Sequence, residues 1–482
     1  MGAEEFGLLS PVWAGTEVAL ATGDEALVAA MLRVEAAWVA VQADSRTSPA
    51  TLASGAEAEA AARVTDVGRY DLPALAARVP AGANPLIPLL EDFRAEVAKE
   101  AGHPVAAVHR GATSQDIVDT ALALLLRDAA LITERHLFAS ARDLAVLALR
   151  HRDDIAIARS LTQHALPTTV GHRLARWAHA LESAASRVRE ARALLPVQWG
   201  GAVGTLASLV DTLASQGAGG AGAGHRDAPQ LARRLVAALA GRLELAFPEL
   251  AWHTDRAPFL RLASALAESV AAAGKVARDV GLLTRPEVGE LAEPHAPGRG
   301  GSSAMPHKRN PVFCVMISSA ALEAPGHLAS VFLAAGQAVD ERPDGAWHAE
   351  WAALRSLARL AGGSAARLAE LAGGLRVFPE RSREVAGLFG EVILAERVAA
   401  RLAPLLPGGR ERIDELVRLS LSSGSGLRAS LRAELDPTVL PDAALDALLD
   451  PTTYLGLAPS DVDRVVATLL KPGVAPSPEG TP

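Results

Sequence analysis

The run Gly298-Arg299-Gly300-Gly301-Ser302-Ser303-Ala304-Met305-Pro306-His307-Lys308-Arg309-Asn310-Pro311 gathers groups suited to moving a proton beside a carboxylate. Glycine at 298, 300 and 301 opens backbone angles closed to other residues, so N–H groups can converge on an anion. A serine is a poor base until its oxyanion is stabilised. A nest of N–H groups with the Lys308 ammonium nearby supplies that stabilisation, and Asn310 adds an amide two positions on. After Pro311 a long apolar run begins, so a polar loop feeds a buried helix. Closure of such a loop would exclude water from the reacting centre.

Three further segments carry polar groups that a carboxylate substrate would need. His109-Arg110-Gly111-Ala112-Thr113-Ser114-Gln115-Asp116 precedes a helical pattern from Ile117 to Ala130. Thr113 and Ser114 can cap that helix, and hydroxyls beside the spare N–H groups of a helix N-terminus can also hold a carboxylate. Arg159 to Thr169 is a polar segment between a helix ending near Asp154 and another starting at Thr168. Its His164 reads either as a proton carrier or as a hydrogen-bonded structural group. Asp340 to Trp351 places Arg342 at a break, as a bidentate clamp or a surface ion pair, ahead of Trp347 and Trp351 on one helix face. His253 and Arg256 fall at a helix start, a capping and surface arrangement with His253 a minor candidate proton donor. Gly200-Gly201 reads as a point of close helix packing.

These segments need rigid elements to hold them, and the composition points to helices. The 482 residues are 50% apolar and only 4% aromatic, and Ala and Leu abound, which favours closely packed helices in two or three domains. Helical stretches are predicted from Asp24 to Gln42, Pro49 to Ala62, Leu72 to Val79, Pro88 to Glu100, Pro229 to Leu245 and Arg256 to Leu283. Further helical stretches are predicted from Ala358 to Ala403 and Gly409 to Leu470. From Val312 to Val339 Glu323 is the only charged residue, a length fit for a membrane span. Pro325-Gly326-His327 at mid-length favours the centre of a helix bundle instead.

Lys plus Arg number 47 against 55 acidic residues, a net charge of −8 that argues against a nucleic-acid partner. The single cysteine, Cys314, excludes an intrachain disulfide and reads as a buried thiol. The thirteen histidines show no ligand spacing, so neither a metal nor another cofactor is expected. No secretory signal is apparent at the N-terminus, which makes the cytoplasm the default location. Gly217 to Gly224 reads as a flexible loop and Pro472 to Pro482 as a disordered tail.

The run Gly301 to Pro311 resembles the signature loop of the fumarase/aspartase superfamily, and His109 to Asp116 and Arg159 to Thr169 resemble its other two signature regions. The resemblance covers nearly the whole chain. It implies an all-α subunit of three domains: an N-terminal helical domain over 1–106, a central long-helix bundle over 107–357 carrying the loop 298–311, and a C-terminal helical domain over 358–482. It further implies a homotetramer with a twenty-helix core, whose sites draw on three subunits and bind a small anionic carboxylate. Carried over residue by residue, Ser302 is the general base that takes the Cβ proton. Lys308 assists catalysis, and Lys308 and Asn310 hold a carboxylate and the developing aci-carboxylate. Thr113, Ser114, Gln163, Ser303 and Arg342 bind substrate.

Two departures narrow the expected activity. Leu161 stands where fumarases, argininosuccinate lyases and adenylosuccinate lyases carry a histidine that serves the leaving group, and leucine transfers no proton. His164 is the imidazole left to substitute. Trp347 and Trp351 stand where adenylosuccinate lyases contact a nucleotide phosphate. The chain most resembles the 3-carboxy-cis,cis-muconate cycloisomerase branch, including Asp450-Pro451-Thr452-Thr453-Tyr454-Leu455-Gly456 near its end. In that branch a carboxylate leaves without needing a strong acid. Members that expel nitrite from nitrosuccinate meet the same condition and form the alternative, with adenylosuccinate lyase behind both.

Overall fold

A computed structural model describes residues 6–47, 52–216, 224–301 and 304–471. The expectations for Pro49, for 217–223 and for 472–482 fall outside the described residues, as do Ser302 and Ser303. The chain divides into two compact units. The first comprises Met1–His136, Ala184–Ala273 and Ser319–Ala366, the second Leu137–Ser183, Gly274–Ser318 and Arg367–Pro482.

The expected helical architecture is borne out. Its long members are α1 (Asp24–Ala43), α2 (Ser114–Arg150), α3 (Val170–Ala193), α4 (Ala257–Leu283), α5 (Val312–Gly336) and α6 (Gly345–Gly373). Helix α2 runs well past Ala130 because residues 131–150 mix apolar and charged side chains at helical spacing with no Gly or Pro to stop them. The helix expected from Pro49 starts at Gly55 in the structure. Ser54 there accepts from the Glu57 N–H while the Glu57 carboxylate accepts from the Ser54 N–H, a reciprocal cap.

One segment differs in kind from the reading. The polar stretch between helices is an antiparallel hairpin, β1 (Ile155–Ser160) and β2 (Gln163–Thr169), pairing Ile155 with Thr169 and Ser160 with Gln163. Ile155, Ile157, Thr168 and Thr169 supply the β-branched residues that favour pleated backbone. The helix that follows therefore begins at Val170, not Thr168.

In the first unit Trp38 of α1 packs on Trp199, ring centroids 4.5 Å apart. The Trp38 indole donates to the Arg110 carbonyl at 2.9 Å and the Gln42 amide to the Ala107 carbonyl at 2.8 Å. Those bonds moor the segment leading to Thr113. In the second unit one core gathers Val398, Ile413, Leu416, Leu431 and Leu445, and a smaller one sets Ile155 and Ile157 against Val385 and Ala386.

Helices α1 and α5 are both long and apolar enough to cross a membrane. The packing separates the two cases. Most of α1 is buried, whereas α5 buries Phe313, Ile317, Ala320 and Val331 and leaves Val315, Leu322, Phe332 and Leu333 exposed, Leu322 by 86%. Cys314, on the covered face, is buried, and burial pushes its thiol well above the usual range.

Candidate active site

Within the first unit, Thr113 and Arg342 meet across 229 positions of sequence. The Arg342 Nη1–H donates to Thr113 Oγ1, and its Nε–H donates to Gln115 Oε1 at 3.1 Å. Nη2 has no hydrogen-bond partner among the described residues, so one edge of a half-buried guanidinium is left for an anion. Ser114 is the first residue of α2, beside this pair. The Thr113 hydroxyl thus accepts from an arginine at the helix N-terminus, the combination of N–H groups, hydroxyls and positive charge that suits a carboxylate.

Behind this pair lie buried ionic groups that the sequence reading missed. Asp116, fully buried, accepts from the N–H groups of Thr113 (3.0 Å), Gly200 (2.9 Å) and Gly201 (2.9 Å) and from His253 Nε2–H (2.8 Å). A Cβ on Gly200 would lie 2.5 Å from that of Ala251, so only glycine lets the turn approach. His253 and Arg256, read as a surface arrangement, are each 3% exposed. Arg256 grips Asp119 in bidentate fashion at 2.7 and 3.0 Å, donates from Nε and Nη2 to the Glu350 carboxylate, and donates from Nη1 to the Trp252 and His253 carbonyls. Trp347 also donates its indole N–H to Asp119, at 2.8 Å, so that tryptophan braces the charge cluster as well as presenting a ring. Burial pushes the Glu350 carboxyl up to about 7, against the pull of Arg256. The clue available in the sequence was Asp116 and Asp119, two acids three apart at the start of an apolar helix, a spacing that puts both on one face.

The hairpin of the second unit carries Gln163 and His164 next to its tip. Leu161 and Thr162 form the two-residue turn, with φ of +48° and +70°, a left-handed pair that ordinarily calls for Asn-Gly and costs other residues about 1 kcal/mol each. Leu161 is 94% exposed, held out from the fold by that strained turn. The hairpin is anchored by Glu290, 1% exposed, which accepts from Arg159 near its turn end at 2.6 Å and from Arg173 at 2.8 Å. His164 packs edge-on against Phe389, ring centroids 5.3 Å apart, and its buried Nδ1 has no hydrogen-bond partner. Burial, with the Arg159 charge nearby, pushes its imidazole below the usual range, so His164 is neutral at pH 7.

The loop 298–311, also in the second unit, folds back on itself. Asn310 N–H donates to the Gly300 carbonyl at 2.9 Å, and Gly301 bridges Arg309. Gly300 has φ +66°, and a Cβ there would meet the Asn310 carbonyl oxygen at 2.5 Å. Lys308 is exposed and its ammonium has no partner among the described residues. Glu293 accepts from the N–H groups of Phe313 (3.2 Å) and Cys314 (2.8 Å), which fixes where α5 starts and the loop ends. Among the described residues no group of His, Cys, Asp or Glu side chains is placed to hold a metal.

In this helical chain the polar groups that could meet an anion sit on loops and helix starts. A family profile described as "Lyase" matches residues 83–326. The chain is 44% identical to a nitrosuccinate lyase of Streptomyces davaonensis over 96% of its own length and 94% of that protein's. It is 39% identical to a 3-carboxy-cis,cis-muconate cycloisomerase of Pseudomonas aeruginosa, covering 94% of this chain and 95% of the other. The crystal structure of the 3-carboxy-cis,cis-muconate lactonizing enzyme from Pseudomonas putida superposes with a TM-score of 0.83 at 35% identity, covering 96% and 99% of the two chains. The chain belongs to this lyase family, within the fumarase/aspartase superfamily, and is an enzyme of lyase or cycloisomerase type.

Proposed function

We propose that the enzyme acts on a small polycarboxylate, transferring a proton at carbon and making or breaking the bond to an anionic group on the opposite side. The substrate under this reading is 3-carboxy-cis,cis-muconate, closed to 4-carboxymuconolactone by addition of its own carboxylate across a double bond. Leu161 carries the reading: a side chain unable to transfer a proton occupies the position of the leaving-group histidine, so the group that leaves, or adds, is one stable as an anion. Substrate and lactone are isomers, and the proton goes to carbon from the Ser302 hydroxyl. Its oxyanion, and the aci-carboxylate, are stabilised by Lys308 and Asn310. Thr113, Ser114 and Arg342 bind one carboxylate, and Gln163 and Ser303 contact the substrate. His164, neutral at pH 7, orients the adding carboxylate by hydrogen bonding and is the remaining imidazole able to carry a proton.

The 44% identity to a nitrosuccinate lyase favours a second reading of the same chemistry: nitrosuccinate gives fumarate, nitrite and a proton, with Ser302 accepting the proton from carbon. A parallel assay separates the two. Loss of the muconate chromophore without nitrite is expected for the cycloisomerase; nitrite appearing with fumarate, and no lactone, overturns it in favour of the lyase.

We further propose that the active species is a homotetramer with sites shared by three chains. The exposed apolar face of α5 supports this, since a row including Val315, Leu322, Phe332 and Leu333 gains from being covered by a second copy. Sedimentation is expected to give about 200 kDa, four times the 49.9 kDa chain. A fully active monomer would contradict the arrangement.

A further inference from the structure

We propose that Gln115 is a positioning residue whose amide aims Arg342 at the substrate carboxylate and thereby sets substrate affinity. The inference rests on the reading of Arg342 as a carboxylate ligand, and it concerns how that arginine is held. Gln115 is fully buried, and both faces of its amide are assigned by what surrounds it. Its Nε2–H groups donate to the His253 carbonyl at 2.9 Å and to Asp119 Oδ2 at 3.1 Å. Both partners accept: one is a backbone carbonyl, the other a carboxylate whose two oxygens also accept from Arg256 and from the Trp347 indole. Turning the amide over would set its oxygen against two acceptors in a buried site, a costly arrangement. Oε1 is therefore obliged to face the other way, where it accepts from Arg342 Nε–H at 3.1 Å.

With Nε held by Gln115 and Nη1 by Thr113, the guanidinium plane is fixed and Nη2 is the part left to act. A long arginine side chain otherwise loses much rotamer freedom on binding a ligand, and fixing it beforehand removes that cost from the binding step. Asp119 reaches the substrate through this amide without touching it. The buried ion cluster around Arg256 thus has a use beyond stability.

The test is a double-mutant cycle in the full-length enzyme, assayed with 3-carboxy-cis,cis-muconate or nitrosuccinate, whichever it turns over. Gln115→Met keeps the length of the side chain and removes the amide. It is expected to raise KM by about 10-fold or more, the scale of one hydrogen bond to a charged group, with kcat changed by less than about 3-fold. Arg342→Met is expected to raise KM at least as far, and the double variant to be no worse than Arg342→Met alone. If Gln115→Met leaves KM unchanged while Arg342→Met raises it, the positioning role is wrong and the carboxylate reading of Arg342 stands. A Gln115→Met effect that persists in the Arg342→Met background also overturns the proposal, because it marks a general structural defect. If neither variant changes KM, the reading of Arg342 falls first and the inference with it. Gln115→Asn, which keeps an amide but withdraws it by one methylene, supplies the same comparison should the methionine variant fail to fold.

Discussion

Ser302→Ala is expected to lower kcat by roughly 10³-fold or more, the range for loss of a positioned acid–base group, while leaving assembly and helical content intact. The expectation follows from the sequence around the serine and from what the structure shows of its loop. Gly300 takes a left-handed conformation and lies so close to the Asn310 carbonyl that no side chain fits. Lys308 presents an ammonium committed to no other group among the described residues, as a group must if it is to meet a developing negative charge. Under the proposed function the variant lacks the base, and these two features belong to other residues of the loop. The measurement is kcat and KM beside sedimentation and circular dichroism; a folded variant with near-normal kcat would remove Ser302 from the chemistry. A fall in kcat with KM little changed is the signature of a group that acts at the transition state.

Arg256→Leu is expected to destabilise the protein by about 3–5 kcal/mol, the scale for removing one partner of a buried ion pair. Asp119 and Glu350, 0% and 1% exposed, would then lie buried facing each other with no cation between them. The loss has a predictable pH dependence. The Glu350 carboxyl is raised by burial from its ordinary 4.5 to about 7, so its contribution to stability is present below about pH 4.5 and is lost as pH rises through 7. Without Arg256 nothing opposes the rise, and Glu350 keeps its proton to higher pH still. The deficit of the variant relative to the parent is therefore expected to shrink as pH falls from 8 toward 5, as protonation removes one of the two buried charges. Thermal midpoints of both proteins across that range test it, and a deficit that grows toward acid pH would show that Glu350 is not the group left exposed to the loss. The variant is also expected to raise KM, since Asp119 orients Gln115, which orients Arg342.

The helical class was legible in the chain because it depends on local quantities. Alanine and leucine abundance, scarce aromatics and apolar spacing are properties of neighbours in sequence, and helices such as α1 and α4 appear close to where that spacing puts them. The loop 298–311 was legible for the same reason, since its glycines, serines, lysine and asparagine are contiguous. The hairpin was missed where local signals conflict: Leu161-Thr162 is a poor sequence for a tight turn, and the strain it carries is supported by the Glu290 anchor and by packing of Ile155 and Ile157 on Val385. His253 and Arg256 were misread as surface groups because polarity alone says nothing of burial; what permits their burial is Asp116, Asp119 and Glu350, at separations of 137 and 94 positions.

By itself, then, the sequence determined which segments are helical and which residue types could bind an anion or move a proton, because both are set by chain composition over a few turns. Only the tertiary structure decided that Thr113 faces Arg342, that Gln115 has one permitted amide orientation, and that Trp347 serves a carboxylate. Those facts depend on which distant donors and acceptors are brought into a space that excludes water, where each polar group must find its partner.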